Sequence, residues 1–104
     1  MSKLKHIVMW KFADEAEGSS KEYNMQYVRE GLSALMGVVP ELLDMEIHRD
    51  TLHGDGSFDM ILICTFEDMD AMQAYQVHPK HMEMRKFIRK VITARSTVDY
   101  VVED

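Results

Sequence analysis

Two ring side chains on either side of a proline are the residues of this sequence best suited to chemistry. Tyr75 precedes Pro79, and His81 follows it. An imidazole has an ordinary pKa near 6.5 and can therefore accept a proton at neutral pH. A phenol can donate a hydrogen bond to an oxygen on which negative charge develops. With His6 facing the same space, these groups would suit proton abstraction next to a carbonyl, as in aldol cyclisation, isomerisation or decarboxylation.

The same residues also allow an interpretation without catalysis. A buried histidine usually only bonds a neighbouring carbonyl or carboxylate, and Tyr75 could bury its ring while its hydroxyl finds a partner at the rim. An enzyme should have a cavity that contains His6, Tyr75 and His81 and is large enough for a ligand. In a non-catalytic stress or ligand-binding protein, Trp10, Phe87 and methionines should fill that space.

Neither a metal nor a cofactor is expected. His78 and His81 are three residues apart with Glu83 nearby, which falls short of the three or four ligands that zinc needs. The ten methionines are typical of gap-filling in a core. The single cysteine, Cys64, lies in an apolar run and is expected to be a buried thiol without a disulfide partner in the chain.

The charge balance argues against nucleic acid as a partner. There are 18 acidic residues against 12 lysines and arginines, a formal net charge of -6, and no cluster of basic residues. Such a surface repels a phosphate backbone. The apolar stretch near the N-terminus is too short and too interrupted for a signal peptide or a membrane span. A cytoplasmic protein that does not bind membranes is expected.

The elements that must position these residues fit one α+β domain over residues 1–104. Their order is strand, helix, strand, strand, helix, strand, a ferredoxin-like arrangement with a four-stranded antiparallel sheet. A capping box at 19–22, with Ser19 as N-cap, opens the first helix, and Gly37 closes it. Pro79 divides the second helical segment. The predicted strands span 4–12, 42–52, 58–66 and 93–102, and the divided helix spans 68–77 and 79–90.

The apolar pattern assigns faces to these elements. On the first strand, alternation places one set of side chains on a common face: Leu4, His6, Val8, Trp10 and Phe12. The first helix carries an apolar stripe: Met25, Val28, Leu32, Leu35 and Met36. The last helix carries a second one: His81, Met84, Ile88 and Val91.

One face of the predicted sheet is left without a cover. Right-handed crossovers put both helical layers on the same face. The opposite face still carries Ile7, Met9, Ile61 and Ile63, and an apolar patch of that size is unusual on a monomer. A second copy of the chain is therefore expected to cover it.

Three motifs in the same order resemble those of the stress-responsive A/B barrel (Dabb) family. They are the opening HIVMWKF at 6–12, the segment AYQVHPKH at 74–81 and the closing VDY at 98–100. The resemblance spans nearly the whole chain. It implies a dimeric α/β barrel in which two four-stranded sheets meet face to face.

The resemblance also implies roles for individual residues. A plant polyketide cyclase of the family works without a cofactor, and its catalytic tyrosine and histidine match Tyr75 and His81. Met60 stands where that cyclase has another pocket histidine, which puts the same substrate in doubt. The residues expected to contact a substrate are His6, Val8, Trp10, Tyr27, Leu62 and Met84.

The expected function is a homodimer of unassigned activity that binds a small hydrophobic or aromatic molecule between its sheet and helices. One alternative is a cofactor-independent cyclase-like or lyase enzyme that uses the Tyr75 and His81 pair. Another is a haem-degrading or cofactor-free monooxygenase of the same barrel superfamily, in which His81 could be an axial ligand; only fold analogy supports it.

Overall fold

The computed structural model describes residues 2–103 and confirms the ferredoxin-like order of the main elements. The four long strands form one antiparallel sheet in the order β4-β5-β1-β6. The elements in chain order are β1 (Ser2–Phe12), β2 (Glu15–Ala16), β3 (Ser19–Ser20), α1 (Lys21–Ser33), β4 (Asp44–Arg49), β5 (Met60–Phe66), α2 (Met69–Val77), α3 (Pro79–Val91) and β6 (Ile92–Glu103). In the described part of the chain, no helix is long and apolar enough to cross a membrane.

The central strand β1 has the alternation that its sequence predicts. Its burial alternates strictly, so that every second side chain enters the core beneath the helices. The buried positions are Leu4, His6, Val8, Trp10 and Phe12. These residues form the floor on which α1, α2 and α3 pack, and Leu62 of β5 extends it because Val8 and Leu62 are paired.

No helix of residues 2–103 covers the opposite face of the sheet, called the back face below. Ile7 pairs with Ile63 on one side and with Val98 on the other, and Met9 pairs with Ile61. Val98 is 57% exposed although it is apolar. The back face therefore carries a contiguous apolar surface across three strands, as the sequence predicts.

The first helix differs from its prediction at both ends. Ser20, not Ser19, is the N-cap, and its hydroxyl accepts from the Tyr23 backbone N–H at 3.2 Å. The helix ends at Ser33, four residues before Gly37, because tighter turns take over after it. Gly37 has φ +83°, which glycine adopts readily. Met36 lies in these turns and is 40% exposed, so it is not part of the buried stripe.

The segment 13–20, predicted as a loop, contains a small hairpin. Glu17 and Gly18 both have positive φ, as a two-residue type I′ turn requires.

The two middle strands are shorter than predicted. β4 covers only 44–49 of the predicted 42–52, and β5 begins at Met60 rather than Phe58. At one end the Leu42 N–H donates to Val39 in a turn, and at the other the Asp50 N–H donates to Asp59.

Candidate functional site

A cavity of about 190 Å³ lies between the helices and the floor formed by β1 and β5. This volume is below the roughly 300–1,000 Å³ of sites for drug-sized ligands, so it suits a small molecule. The residues that line it are His6, Val8, Trp10, Leu32, Leu62, Tyr75, Gln76, His81, Arg85, Ile88, Arg89, Ile92 and Arg95. The space that a non-catalytic stress or ligand-binding protein should fill with Trp10, Phe87 and methionines is therefore open. Trp10 forms part of its wall, and Phe87 is not among the lining residues.

The proline break fixes the position of His81. α2 ends at Val77 and α3 begins at Pro79, with His78 as the N-cap between them. In an unbroken helix the Lys80 N–H would donate to the Gln76 carbonyl, but here it donates to His78 Nδ1 at 3.1 Å. The Gln76 carbonyl is thereby left for His81, whose Nδ1 lies 3.1 Å away.

This hydrogen bond makes His81 a suitable proton acceptor. A carbonyl oxygen can only accept, so Nδ1 must carry the proton, and Nε2 keeps its lone pair in the neutral ring. Burial lowers the pKa of His81, and the positive charges of Arg85 and Arg95 lower it further, together with His6, although the bond to Gln76 opposes them. His81 is therefore neutral at pH 7, with its basic nitrogen available.

Tyr75 lies beside His81 and is more deeply buried. The ring centroids of Tyr75 and His81 are 4.4 Å apart, and Phe66 packs on Tyr75 at 5.1 Å. The Tyr75 hydroxyl is buried and has no hydrogen-bond partner among residues 2–103. Burial raises the pKa of Tyr75, and the neighbouring Cys64 thiol adds to the effect, so that the phenol stays protonated. It can act only as a donor or a neutral wall, not as a phenolate.

Cys64 is not a reactive group in this site. It is fully buried, as predicted, and burial raises the pKa of its thiol to about 12. A thiol in this state is a poor nucleophile at neutral pH. It is also a weak hydrogen-bond acceptor, so it does not substitute for a normal partner of the Tyr75 hydroxyl.

Asp99, on the neighbouring strand β6, holds the His6 ring in position. The register of β1 with β6 places these two residues opposite each other. His6 Nδ1 donates to the Asp99 carboxylate, which fixes the orientation of the ring. Asp99 belongs to the VDY motif, but no local pattern predicts its contact with His6, because the two residues are 93 positions apart.

Three arginines that are not among the predicted site residues also line the cavity. Arg85 and Arg89 follow His81 at steps of four on α3, a spacing that places all three on one side of a helix. Arg95 lies on β6, directly opposite Trp10. The four-residue spacing after His81 was a signal in the sequence that could have identified the first two.

Two predicted contact residues, Tyr27 and Met84, are absent from the cavity lining. Tyr27 is 45% exposed and packs between Tyr23 and Phe87 on the outside of the helices. Met84 turns toward α1, where Gly31 leaves room for it: a Cβ at position 31 would collide with the Met84 sulfur. Of the eight predicted site residues, the cavity brings together six: His6, Val8, Trp10, Leu62, Tyr75 and His81.

The comparisons with known proteins identify a family. A family model described as "Stress responsive A/B Barrel Domain" (Dabb) matches residues 4–102. Olivetolic acid cyclase from Cannabis sativa is 28% identical over 82 residues, which are 76% of this chain and 76% of the cyclase.

Solved structures with the same fold include proteins with and without a named activity. One is a dimeric protein of unknown function with a ferredoxin-like fold from Bacteroides fragilis, with a TM-score of 0.83 and 26% identity over 94% of both chains. Another is the hydroxynitrile lyase from Passiflora edulis, with a TM-score of 0.81 and 16% identity over 98% of this chain and 94% of the lyase.

Proposed function

The chain belongs to the stress-responsive A/B barrel domain family, and from that premise we propose that it binds a small aromatic carbonyl compound and removes a proton next to the carbonyl. The observation that carries this proposal is the shared cavity. His81 brings a neutral ring with a free Nε2, and Tyr75 and His6 border the same space. The Tyr75 hydroxyl lies buried at the wall and has no hydrogen-bond partner among residues 2–103.

The proposed chemistry needs no cofactor. The C–H bond next to the carbonyl breaks, His81 Nε2 takes the proton, and the electron pair moves to the carbonyl oxygen as an enolate. The Tyr75 hydroxyl turns from its buried position toward the cavity and donates to that oxygen, which gives it the partner that it lacks among residues 2–103. The enolate can then attack a second carbonyl, expel a leaving group or recover a proton. The name of one similar protein, olivetolic acid cyclase, supports a ring closure that begins with such an enolate.

The haem alternative does not fit the cavity. A volume of about 190 Å³ is below that of sites for drug-sized ligands. A haem macrocycle is larger than such ligands.

Binding is tested with phenylacetone, a small ketone that carries a benzyl group. Trp10 is the only tryptophan of the chain and lines the cavity, so its indole N–H provides a single NMR signal. We expect phenylacetone to shift this signal until it saturates, and Leu62→Phe, which fills the cavity, to abolish the shift. A signal that does not move, or that moves equally in Leu62→Phe, would show that the cavity is not the binding site.

The homodimer is part of the same proposal. The apolar back face fits a second copy of the chain, and the similar protein from Bacteroides fragilis is described as dimeric. We predict that light scattering gives twice the 12.1 kDa of one chain.

Val98→Asp should yield monomers, because a charge would then be buried at the centre of the interface. Val98 is exposed in the single chain, so its replacement leaves the core intact. The control is Leu52→Asp, which adds the same charge at a residue that is 87% exposed on a loop. A wild-type mass of one chain at micromolar concentration would contradict the prediction.

A further inference from the structure

The arginines of the chain are concentrated around the cavity. The sequence contains five arginines, and three of them line this one cavity. All three are exposed, so they lie at its solvent side, whereas His6 and Tyr75 are buried. The cavity therefore changes from positively charged at its mouth to aromatic and apolar further in.

These arginines are not used in ion pairs within the described chain. Among residues 2–103, the lysines and arginine that lie within 4 Å of a carboxylate are Lys3, Lys21, Arg49 and Lys90. The chain has 18 acidic residues to 12 basic ones, so acidic partners are abundant. Arg85, Arg89 and Arg95 nevertheless have none, which leaves their guanidinium groups available to a ligand.

Structural explanations account for single arginines but not for the group. Arg89 lies in the last turn of α3, where a cation is favoured by the helix dipole. Arg95 lies on β6, an edge strand of the sheet, where charge discourages unwanted strand pairing. Neither explanation applies to Arg85 in the middle of the helix. Neither explains why residues from two elements meet at one opening.

We propose that the ligand carries a compact oxyanion, a carboxylate or a phosphate, which Arg85, Arg89 and Arg95 bind at the mouth of the cavity while its carbonyl end reaches Tyr75 and His81. The planar guanidinium group matches both oxyanions with two parallel hydrogen bonds. The negatively charged surface of the rest of the chain would repel such a ligand elsewhere and leave this opening as the favoured site. The inference rests on the proposed function, because it assigns the polar end of the same substrate.

A matched pair of probes tests the preference. Phenylpyruvate has the skeleton of phenylacetone, with a carboxylate in place of the methyl group. We expect it to bind at least tenfold more tightly, as measured from the indole N–H signal of Trp10. Phenyl phosphate, compared with phenol, is the second arm and distinguishes a phosphate from a carboxylate. Equal affinities within both pairs would overturn the inference.

Variants connect the preference to the three arginines. Arg85→Gln, Arg89→Gln and Arg95→Gln should each reduce the preference for the anionic probe, and the triple variant should abolish it. The control is Arg29→Gln, which removes the same charge from an exposed arginine of α1 that is not part of this cavity. Because the altered side chains are exposed, circular dichroism should show unchanged folding. A preference that survives in the triple variant would contradict the assignment.

These measurements distinguish a failure of the oxyanion site from a failure of the proposed function. If phenylacetone and phenylpyruvate bind equally well and both exchange protons, the oxyanion site is wrong and the function stands. If phenylpyruvate is preferred through the arginines but no proton is removed, the site stands and the proposed reaction is wrong.

Discussion

Replacing Tyr75 with phenylalanine should raise the stability of the protein and lower its activity at the same time. The hydroxyl is buried and has no hydrogen-bond partner within residues 2–103, and such a group costs about 1–3 kcal/mol. Its removal should therefore increase the free energy of unfolding by about 1 kcal/mol, which is about 4–8 °C in Tm for a domain of this size. Proton removal from phenylacetone should slow by about 100-fold, as for the loss of one oxyanion donor.

The opposite signs of the two effects make this variant informative. A tyrosine with a structural hydrogen bond would lose stability on the same change. The control is Tyr23→Phe, because Tyr23 is 58% exposed and its hydroxyl is outside the cavity; neither quantity should change. Thermal unfolding and proton exchange measured on the same samples provide both values. A less stable Tyr75→Phe variant with full activity would refute the assigned role.

Replacing His81 with glutamine should have the largest effect on the reaction. A positioned general base contributes about 10²–10⁴-fold to a rate, so exchange should fall by that factor. Glutamine preserves a polar side chain of similar size, and the affinity for phenylacetone should change little. His53→Gln is the control, since the His53 side chain is 77% exposed on a loop. Equal loss of binding and rate would indicate a structural role for His81 instead.

The pH dependence of the reaction has a defined sign. Burial and the nearby positive charges lower the pKa of His81 below its ordinary 6.5. The neutral, basic form therefore persists as the pH falls through 6.5. The exchange rate should therefore reach half of its maximum only below pH 6.5. A rate that falls by half at or above pH 6.5 would contradict a base with a lowered pKa.

The sequence predicts those parts of the site that depend on local pattern. The alternation along β1 places His6, Val8 and Trp10 on the buried face, since a strand has a strict period of two. The break at Pro79 also follows from the sequence, because proline cannot continue a helix, whereas the pairing of Tyr75 with His81 is implied only by the family resemblance. Both features need only a few neighbouring residues.

The remaining parts of the site depend on contacts between distant segments. The contact between His6 and Asp99 and the position of Arg95 opposite Trp10 both follow from the pairing of β1 with β6. An alternating pattern gives the faces of a strand but does not give its register against another strand.

Met84 shows why an apolar stripe does not define a cavity. It shares the stripe with His81, but Gly31 on α1 opens a space that its side chain occupies. The choice between the helix contact and the cavity is made by the packing of α1 against α3. Tyr27 is likewise placed by Phe87, at a centroid distance of 4.5 Å, rather than by its own helix.

The most direct test of the proposed function is the exchange of hydrogen for deuterium next to the carbonyl of phenylacetone in D₂O. Proton NMR follows the loss of the signal with the wild-type protein, with His81→Gln and in buffer alone. The cavity with its neutral His81 predicts a clear acceleration by the wild-type protein and a rate near that of buffer for His81→Gln. A wild-type rate equal to that of buffer, or equal rates for the two proteins, would contradict proton removal by His81.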